Sequence, residues 1–121
     1  MVGEASQQFA HIQQLPMMDE PGCAGLFRSH DLFIAACWSE AGCHAARAAL
    51  ACGLPVLHVN EGSYGELVGF GGLSFLGSSD VLVQLDRIAS NLEAFRSCIW
   101  MQSIDEIAGR YIELARRLLA E

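Results

Sequence analysis

Two apolar runs of strand length, separated by an alanine-rich segment, constrain the fold more than any other feature of the sequence. The runs are Asp31 to Trp38 (DLFIAACW) and Leu54 to Val59 (LPVLHV), and Gly42 to Cys52 (GCHAARAALAC) lies between them. Near-continuous apolar runs are typical of parallel strands that are covered on both faces. Alanine favours helix, and glycine, here Gly53, commonly follows a helix end. The pattern predicts a strand, a helix and a second strand, with the Asp31 run as a central strand.

The remaining segments continue this alternation. The expected elements are a strand over Gln8 to Leu15, a helix over Pro21 to Ser29 with Leu26 and Phe27 facing inward, a strand over Leu73 to Leu76, a helix capped by Ser78 or Ser79 and running to Ile88, and helices over Asn91 to Met101 and Ser103 to Ala120. Ser103 and Glu106 have the spacing of a capping box. Alternating strands and helices predict an α/β fold, namely a Rossmann-like parallel sheet with helices on both faces. A length of 121 residues suits one domain, with residues 1–7 expected to be flexible.

Composition narrows the classes of function. The net charge is -7, and the seven basic residues are arginines without a clustered stripe, which disfavours nucleic acid as a partner. The sequence has no signal pattern and no apolar stretch of membrane-spanning length, so we expect a cytoplasmic protein. The five cysteines include no CxxC pair and lie in apolar surroundings, which predicts reduced, mostly buried thiols. The spacing of cysteines and histidines supports no metal site.

Two segments follow the carboxyl ends of predicted strands, where α/β sheets bind ligands. In the first, Ser39 to His44, the free N–H groups and dipole of the following helix suit a phosphate or diphosphate. Gly42 allows close approach of a ligand, and the Glu40 carboxylate can accept hydrogen bonds from sugar hydroxyls. The alternative interpretation is that Ser39 or Glu40 only caps the helix.

The second segment, Asn60 to Glu66, is predicted to be a loop. Gly62 and Ser63 can present backbone N–H groups to a sugar or phosphate. Glu66 can bind a hydroxyl, or it can begin the next helical turn. The residues alone leave both interpretations open.

Five stretches of the chain resemble family 4 glycosyltransferases of the GT-B fold. SEAGCHAARAALACGLPV (Ser39 to Val56) is similar to the family signature SEGGPNAALEAMACGLPV, VNEGSYGELVG (Val59 to Gly69) to DxGGxxELVG, and GGLSF (Gly71 to Phe75) to GGLLF. LFRSHDLFI (Leu26 to Ile34) and SIDEIAGRY (Ser103 to Tyr111) resemble the flanking segments. The matches run in order over roughly 90 residues, which one motif occurring by chance would not produce.

The resemblance implies the C-terminal, donor-binding half of such an enzyme, a truncated GT-B fold. In that family this half binds a nucleotide-diphosphate sugar as the donor substrate, with no further cofactor, and the N-terminal half binds the acceptor. Glu40 matches the glutamate that contacts the transferred sugar and is the catalytic candidate. The donor-binding candidates carried over in the same way are Gly42, Cys43, Gly62, Ser63 and Glu66. His44, which replaces the family's Asn, is a further candidate donor to a phosphate.

Two departures from the family pattern accompany the resemblance. Ala48 stands where the family has a second glutamate that holds the nucleotide ribose, and the loss of such a charge-assisted pair removes about 1.5 to 3 kcal/mol of donor binding. The first strands of the domain, the basic residue they carry and the acceptor domain have no counterpart in this sequence. The leading hypothesis is therefore the donor side of a retaining glycosyltransferase that transfers a hexosyl group only when completed by an N-terminal acceptor domain or partner chain.

A different class of function competes with that hypothesis. A degenerate, non-catalytic relative would serve in oligomerisation or protein interaction, and a homodimer would cover the apolar surface that a truncated sheet exposes. A third class, an unrelated flavodoxin-like or receiver domain, needs an acidic cluster or glycine-rich turn after the first strand, which the sequence lacks.

Overall fold

A three-stranded parallel sheet organises the protein, whose computed structural model describes residues 11–38 and 43–120. In chain order the elements are α1 (Glu20–Arg28), β1 (Phe33–Ala35), α2 (His44–Ala51), β2 (Val56–Val59), α3 (Tyr64–Val68), a short 3₁₀ helix (Gly69–Gly71), β3 (Gly72–Phe75), α4 (Val81–Ser90), α5 (Leu92–Ser97) and α6 (Ile104–Ala120). This mixed arrangement confirms the predicted α/β class. No helix within these ranges is both long and apolar enough to cross a membrane.

The strands have the order β1-β2-β3, and both neighbouring pairs are parallel. Every residue of β2 is buried, as predicted for a strand covered on both faces. β1 differs from the prediction, because among the described residues it lies at an edge and Ile34 remains 46% exposed. The central strand is therefore β2, since only β2 has a described strand on each side.

The expected first strand, Gln8 to Leu15, lies partly outside the described residues. Its described part is not a strand, and Leu15 alone forms an isolated bridge. The first helix is confirmed to within one residue. The side chain of Asp19 caps α1 by accepting a hydrogen bond from the Gly22 N–H at 2.9 Å, and Phe27 packs inward against the ring of Phe33 with their centroids 5.6 Å apart.

The hydrophobic core lies around β2 and the inner face of α2. Its completely or almost completely buried members come from the three strands, from α2, α3 and α4, and from the residues just before α2 and β2. They are Ala35, Cys43, Ala46, Ala49, Leu50, Leu54, Val56, Leu57, Val59, Tyr64, Val68, Phe75 and Ile88. Leu73, Val81, Leu85 and Phe95 pack against this cluster from β3, α4 and α5. The alanine spacing of α2 thus serves close approach between the helix and the sheet.

The turn between β3 and α4 is held by a carboxylate rather than by a serine. The side chain of Asp80 accepts hydrogen bonds from the N–H groups of Leu76 and Gly77 at 3.0 Å. These bonds, first that from Gly77 and then that from Leu76, hold the pKa of Asp80 below its ordinary value. The predicted caps Ser78 and Ser79 are therefore wrong, because α4 begins only after Asp80.

The two C-terminal helices differ in how well the sequence predicted them. α5 ends at Ser97, four residues before the expected Met101. For α6 the capping box is confirmed, since the Ser103 N–H donates to Glu106 Oε2 at 2.8 Å and the Glu106 N–H donates to Ser103 Oγ at 3.2 Å. No residue of α6 is buried.

All five cysteines are free thiols, as expected. Cys43 is buried and Cys23 and Cys52 are partly buried, but Cys37 and Cys98 are exposed. The expectation of mostly buried thiols is therefore wrong for these two, because Cys37 follows the edge strand β1 and Cys98 follows the end of α5.

Candidate functional site

Two strand-to-helix connections lie next to each other at the carboxyl edge of the sheet. One joins β1 to α2 and the other joins β2 to α3, and because the strands are parallel neighbours both connections leave from the same edge. This is the edge at which parallel sheets bind ligands. The candidate residues Glu40 and Gly42 belong to the first connection but lie outside the described residues.

The described end of the first connection is Cys43, which immediately precedes α2. Its backbone is left-handed, with φ of 52°, and its side chain makes no capping hydrogen bond to the helix. The thiol lies in the hydrophobic core at 1% exposure, so this side chain faces the protein interior. A contribution of Cys43 to a ligand would therefore come from its backbone. His44, the first residue of α2, is exposed.

All three candidates predicted in the Asn60 to Glu66 segment are exposed, two of them in the second connection and one in α3. Gly62 has φ of 63°, a left-handed conformation that favours glycine, and it is followed by Ser63, the residue before α3. Ser63 is exposed, and its side chain makes no capping hydrogen bond to the N–H groups of α3. Glu66 lies in the first turn of α3 and is exposed.

A buried histidine anchors this second connection. His58 is 5% exposed, and its ring stacks on Tyr64 with centroids 5.4 Å apart and an interplanar angle of 22°. Its Nδ1 donates a hydrogen bond to the Val59 carbonyl oxygen at 2.8 Å. The two rings therefore hold the end of β2 against the start of α3 and position the loop between them. The sequence analysis did not select His58 as a candidate residue.

An open cavity of about 430 Å³ adjoins the second connection. Its lining includes Ser63 and Glu66 and also Arg47 of α2. The rest of the lining is largely apolar, with Phe70, Trp100, Met101 and Ile107 beside the polar Gln102. The cavity therefore combines a basic side chain, a carboxylate and a hydroxyl with an apolar surface.

Sequence reasoning did not select Arg47. In the glycosyltransferase signature quoted above this position is leucine, so its replacement by arginine was the available signal. The neighbouring Ala48 is exposed on α2. Its methyl group accepts no hydrogen bond, so α2 offers no carboxylate at the position where the signature has its second glutamate.

Within the described residues, no group of three or more histidine, cysteine or acidic side chains is placed to hold a metal ion. Searches for relatives return no matching protein-family model, curated protein or solved structure. The class that the geometry itself defines is a parallel α/β domain with two adjoining strand-to-helix connections.

Proposed function

We propose that this chain is the donor-side, nucleotide-diphosphate-sugar-binding part of a retaining glycosyltransferase. The observation that carries the proposal is that the two segments most similar to the family signature coincide with the two adjoining connections at the carboxyl edge of the sheet. In this proposal the sheet is the Rossmann-like half of a truncated GT-B fold. Its reduced thiols suit a cytoplasmic protein.

The proposed donor lies with its diphosphate at the start of α2. The free N–H groups and dipole of this helix attract an anion, each such interaction contributing about 0.3 to 1 kcal/mol. Glu40 orients the transferred sugar, and Gly62, Ser63 and Glu66 contact the donor from the second connection. Arg47 lines the same cavity as Glu66 and supplies positive charge to it, which supports the proposal because a cation near the diphosphate offsets its negative charge.

Because Ala48 has no carboxylate, we expect a lowered affinity for the donor. A loss of about 1.5 to 3 kcal/mol corresponds to binding that is weaker by roughly ten- to a hundredfold. Turnover further requires an acceptor-binding domain across the cleft, because orientation of the two substrates accounts for much of the catalysis in such a reaction. The chain by itself is expected to bind the donor weakly and to transfer no hexosyl group.

A second candidate function is a non-catalytic, degenerate module that acts in oligomerisation or protein interaction. Two observations favour it, namely Ala48 in place of the ribose-binding carboxylate and the apolar face of α6, which has no buried residue. If this candidate is correct, the folded protein does not bind nucleotides.

Calorimetric titration of the full chain with UDP, GDP and their sugar conjugates separates the two candidates. We expect weak binding that Glu40→Ala reduces, because the sugar hydroxyls lose their acceptor, and that Ala48→Glu strengthens by about tenfold or more. Arg47→Ala should reduce binding of both the nucleotides and their conjugates, since it removes charge near the diphosphate.

Two matched variants test whether a change in net charge is enough to alter the affinity. Glu61→Ala removes an exposed carboxylate from the second connection that the family motif does not use, and Ala51→Glu adds one to the last turn of α2. Neither should change the affinity more than about twofold. A folded protein that releases no heat with any nucleotide up to millimolar concentration would overturn donor binding and leave the interaction module.

A further inference from the structure

The cavity of about 430 Å³ has two charged side chains of opposite sign in its lining, Arg47 of α2 and Glu66 of α3. Both residues are exposed, and the ion pairs among the described residues do not include one between them. The two charges therefore do not neutralise each other, and each can pair with a group of a bound molecule. The volume suits a small molecule, since ligand pockets usually measure about 300 to 1,000 Å³.

The same cavity offers an apolar surface beside these charges. The rings of Phe70 and Trp100 line it and are 85% and 72% exposed, and Met101 and Ile107 add further apolar surface. Aromatic side chains favour contact with other rings, in offset-stacked or edge-to-face arrangements. The cavity therefore complements a molecule that combines an aromatic ring with groups of both charges.

Two contacts hold the segment that carries Trp100. Ile99 packs against the hydrophobic core, and a Cβ atom added at Gly71 would lie 2.9 Å from Ile99 Cγ1. Gln102, which also lines the cavity, accepts hydrogen bonds from both terminal nitrogens of Arg110 at 2.7 and 2.8 Å when its amide oxygen faces that side chain. This part of the lining is thus positioned in advance, which lowers the entropy cost of binding.

We propose that this cavity binds a zwitterion with an aromatic side chain, that is, a free aromatic α-amino acid. The ligand carboxylate pairs with Arg47, the ligand ammonium pairs with Glu66, and the ring lies against Trp100 and Phe70. A guanidinium has five N–H donors, so Arg47 can bind the carboxylate in addition to its contacts within the chain. The inference rests on the lining of the cavity and does not depend on nucleotide binding.

The balance of charge favours a zwitterion over a simple anion or cation. An aromatic acid without an ammonium group would bring its carboxylate into a cavity that also contains Glu66, and the like charges repel. The net charge of -7 on the chain disfavours such an anion further. An aromatic amine without a carboxylate meets the positive charge of Arg47 in the same way. A ligand with both charges instead gives each of the two side chains a partner.

Fluorescence titration of the full chain with phenylalanine tests the proposal. Trp38 and Trp100 are the only tryptophans in the sequence, so the Trp38→Phe variant reports on the cavity alone. Phenylalanine should shift the emission of Trp100 to shorter wavelength, because its ring displaces water, with a dissociation constant on the order of 1 mM.

Three ligands that each lack one group serve as matched controls. Glycine lacks the ring, phenylpropanoate lacks the ammonium group, and phenethylamine lacks the carboxylate. Each should bind at least about tenfold more weakly than phenylalanine, because one part of the cavity is left without a partner. Glycine or phenylpropanoate that binds as tightly as phenylalanine would overturn the proposed ligand class.

Variants of the two charged residues test which group each one binds. Glu66→Gln should weaken phenylalanine about tenfold and should not weaken phenylpropanoate, whereas Arg47→Gln should weaken both and should not weaken phenethylamine. Glu61→Gln, at an exposed residue that does not line the cavity, should leave all affinities unchanged. Circular dichroism checks that each variant is folded.

Two results would overturn the proposal outright. One is unchanged Trp100 emission with phenylalanine up to its solubility limit in folded protein. The other is equal weakening of phenylalanine and phenylpropanoate by Glu66→Gln, since Glu66 then does not contact the ammonium group. Because these titrations contain no nucleotide, their failure leaves the proposed donor site unaffected, and a failure of nucleotide binding leaves the amino-acid site unaffected.

Discussion

β2 and α6 are both rich in apolar residues, yet the protein covers one of them completely and leaves the other uncovered. All four residues of β2 are buried, whereas α6 has no buried residue in 17. β2 has a described strand on each side and is further covered by α2, α3 and α4. α6 follows the 98–103 segment at the end of the chain and is not among the elements that pack closely on the sheet.

This difference in burial means that β2 stabilises the folded chain, whereas the apolar face of α6 is free to contact another surface. Apolar surface stabilises a fold by about 25 cal/mol for each Å² removed from water, so β2 contributes to folding of the single chain. The apolar face of α6 contributes little until another surface covers it. Variants in the two regions should therefore report on different properties.

The largest expected effect comes from Gly72→Ala at the β2–β3 pairing. A Cβ atom at this position would overlap the carbonyl oxygen of Val56, and backbone atoms cannot rotate away as a side chain can. The strand pair has to open, so we expect a loss of about 3 kcal/mol or more in the free energy of unfolding, measured by urea titration. Gly77→Ala is the control, since nothing lies within 4 Å of its added Cβ. Equal stability of the two variants would contradict the observed register.

The most direct comparison of the two regions uses one substitution twice. Leu57→Ala, in β2, should lower the free energy of unfolding by about 2 to 5 kcal/mol because it leaves a cavity at a completely buried site. Leu118→Ala, in α6, should change it by no more than about 0.5 kcal/mol when measured in dilute, monomeric protein. Similar losses in both variants would mean that α6 packs on the core.

A smaller and local effect is expected from Ser103→Ala. Loss of the cap should destabilise the start of α6 by about 1 kcal/mol, so the amide of Glu106 should exchange with solvent about fivefold faster. Amides of β2 should exchange at unchanged rates, because α6 contributes little to the core. Glu106→Gln retains a side-chain acceptor and should keep most of the protection. Faster exchange throughout the sheet would show that the two regions unfold together.

The smallest expected effect is a dependence on pH at the β3–α4 turn. The pKa of Asp80 is lowered in the folded protein, so its carboxylate stabilises the fold above the ordinary value of 3.8 and this contribution is lost as the pH falls through the lower, folded value. Asp80→Asn should therefore melt at a lower temperature than the native chain at neutral pH, and the gap should close in acid. Asp86→Asn, on the exposed side of α4, serves as the control. A gap that is constant with pH would contradict this role for Asp80.

Rules that act over a few residues predicted several elements correctly. The Ser103 and Glu106 capping box forms as the spacing indicates, and α1 begins within one residue of its predicted start. Gly53 follows the end of α2. These features depend on hydrogen bonds between neighbours in the sequence, which the sequence itself specifies.

The candidate site was predictable only in part. The sequence placed Gly62, Ser63 and Glu66 in the second connection, and the structure exposes all three. It did not indicate that His58 stacks on Tyr64 or that Arg47 lines the cavity with Glu66. Each of these depends on contacts between segments that are separate in the sequence.

The sequence alone determined the α/β class, the alternation of helices and strands, and the capped start of α6, because periodicity and capping are local properties. Only the tertiary structure decided that β2 rather than β1 is the central strand and that Asp80 holds the turn before α4. It also decided that α6 keeps its apolar face exposed. The physical reason is that burial depends on which surfaces meet: β2 has a described strand on each side, whereas α6 is not among the elements that pack closely on the sheet.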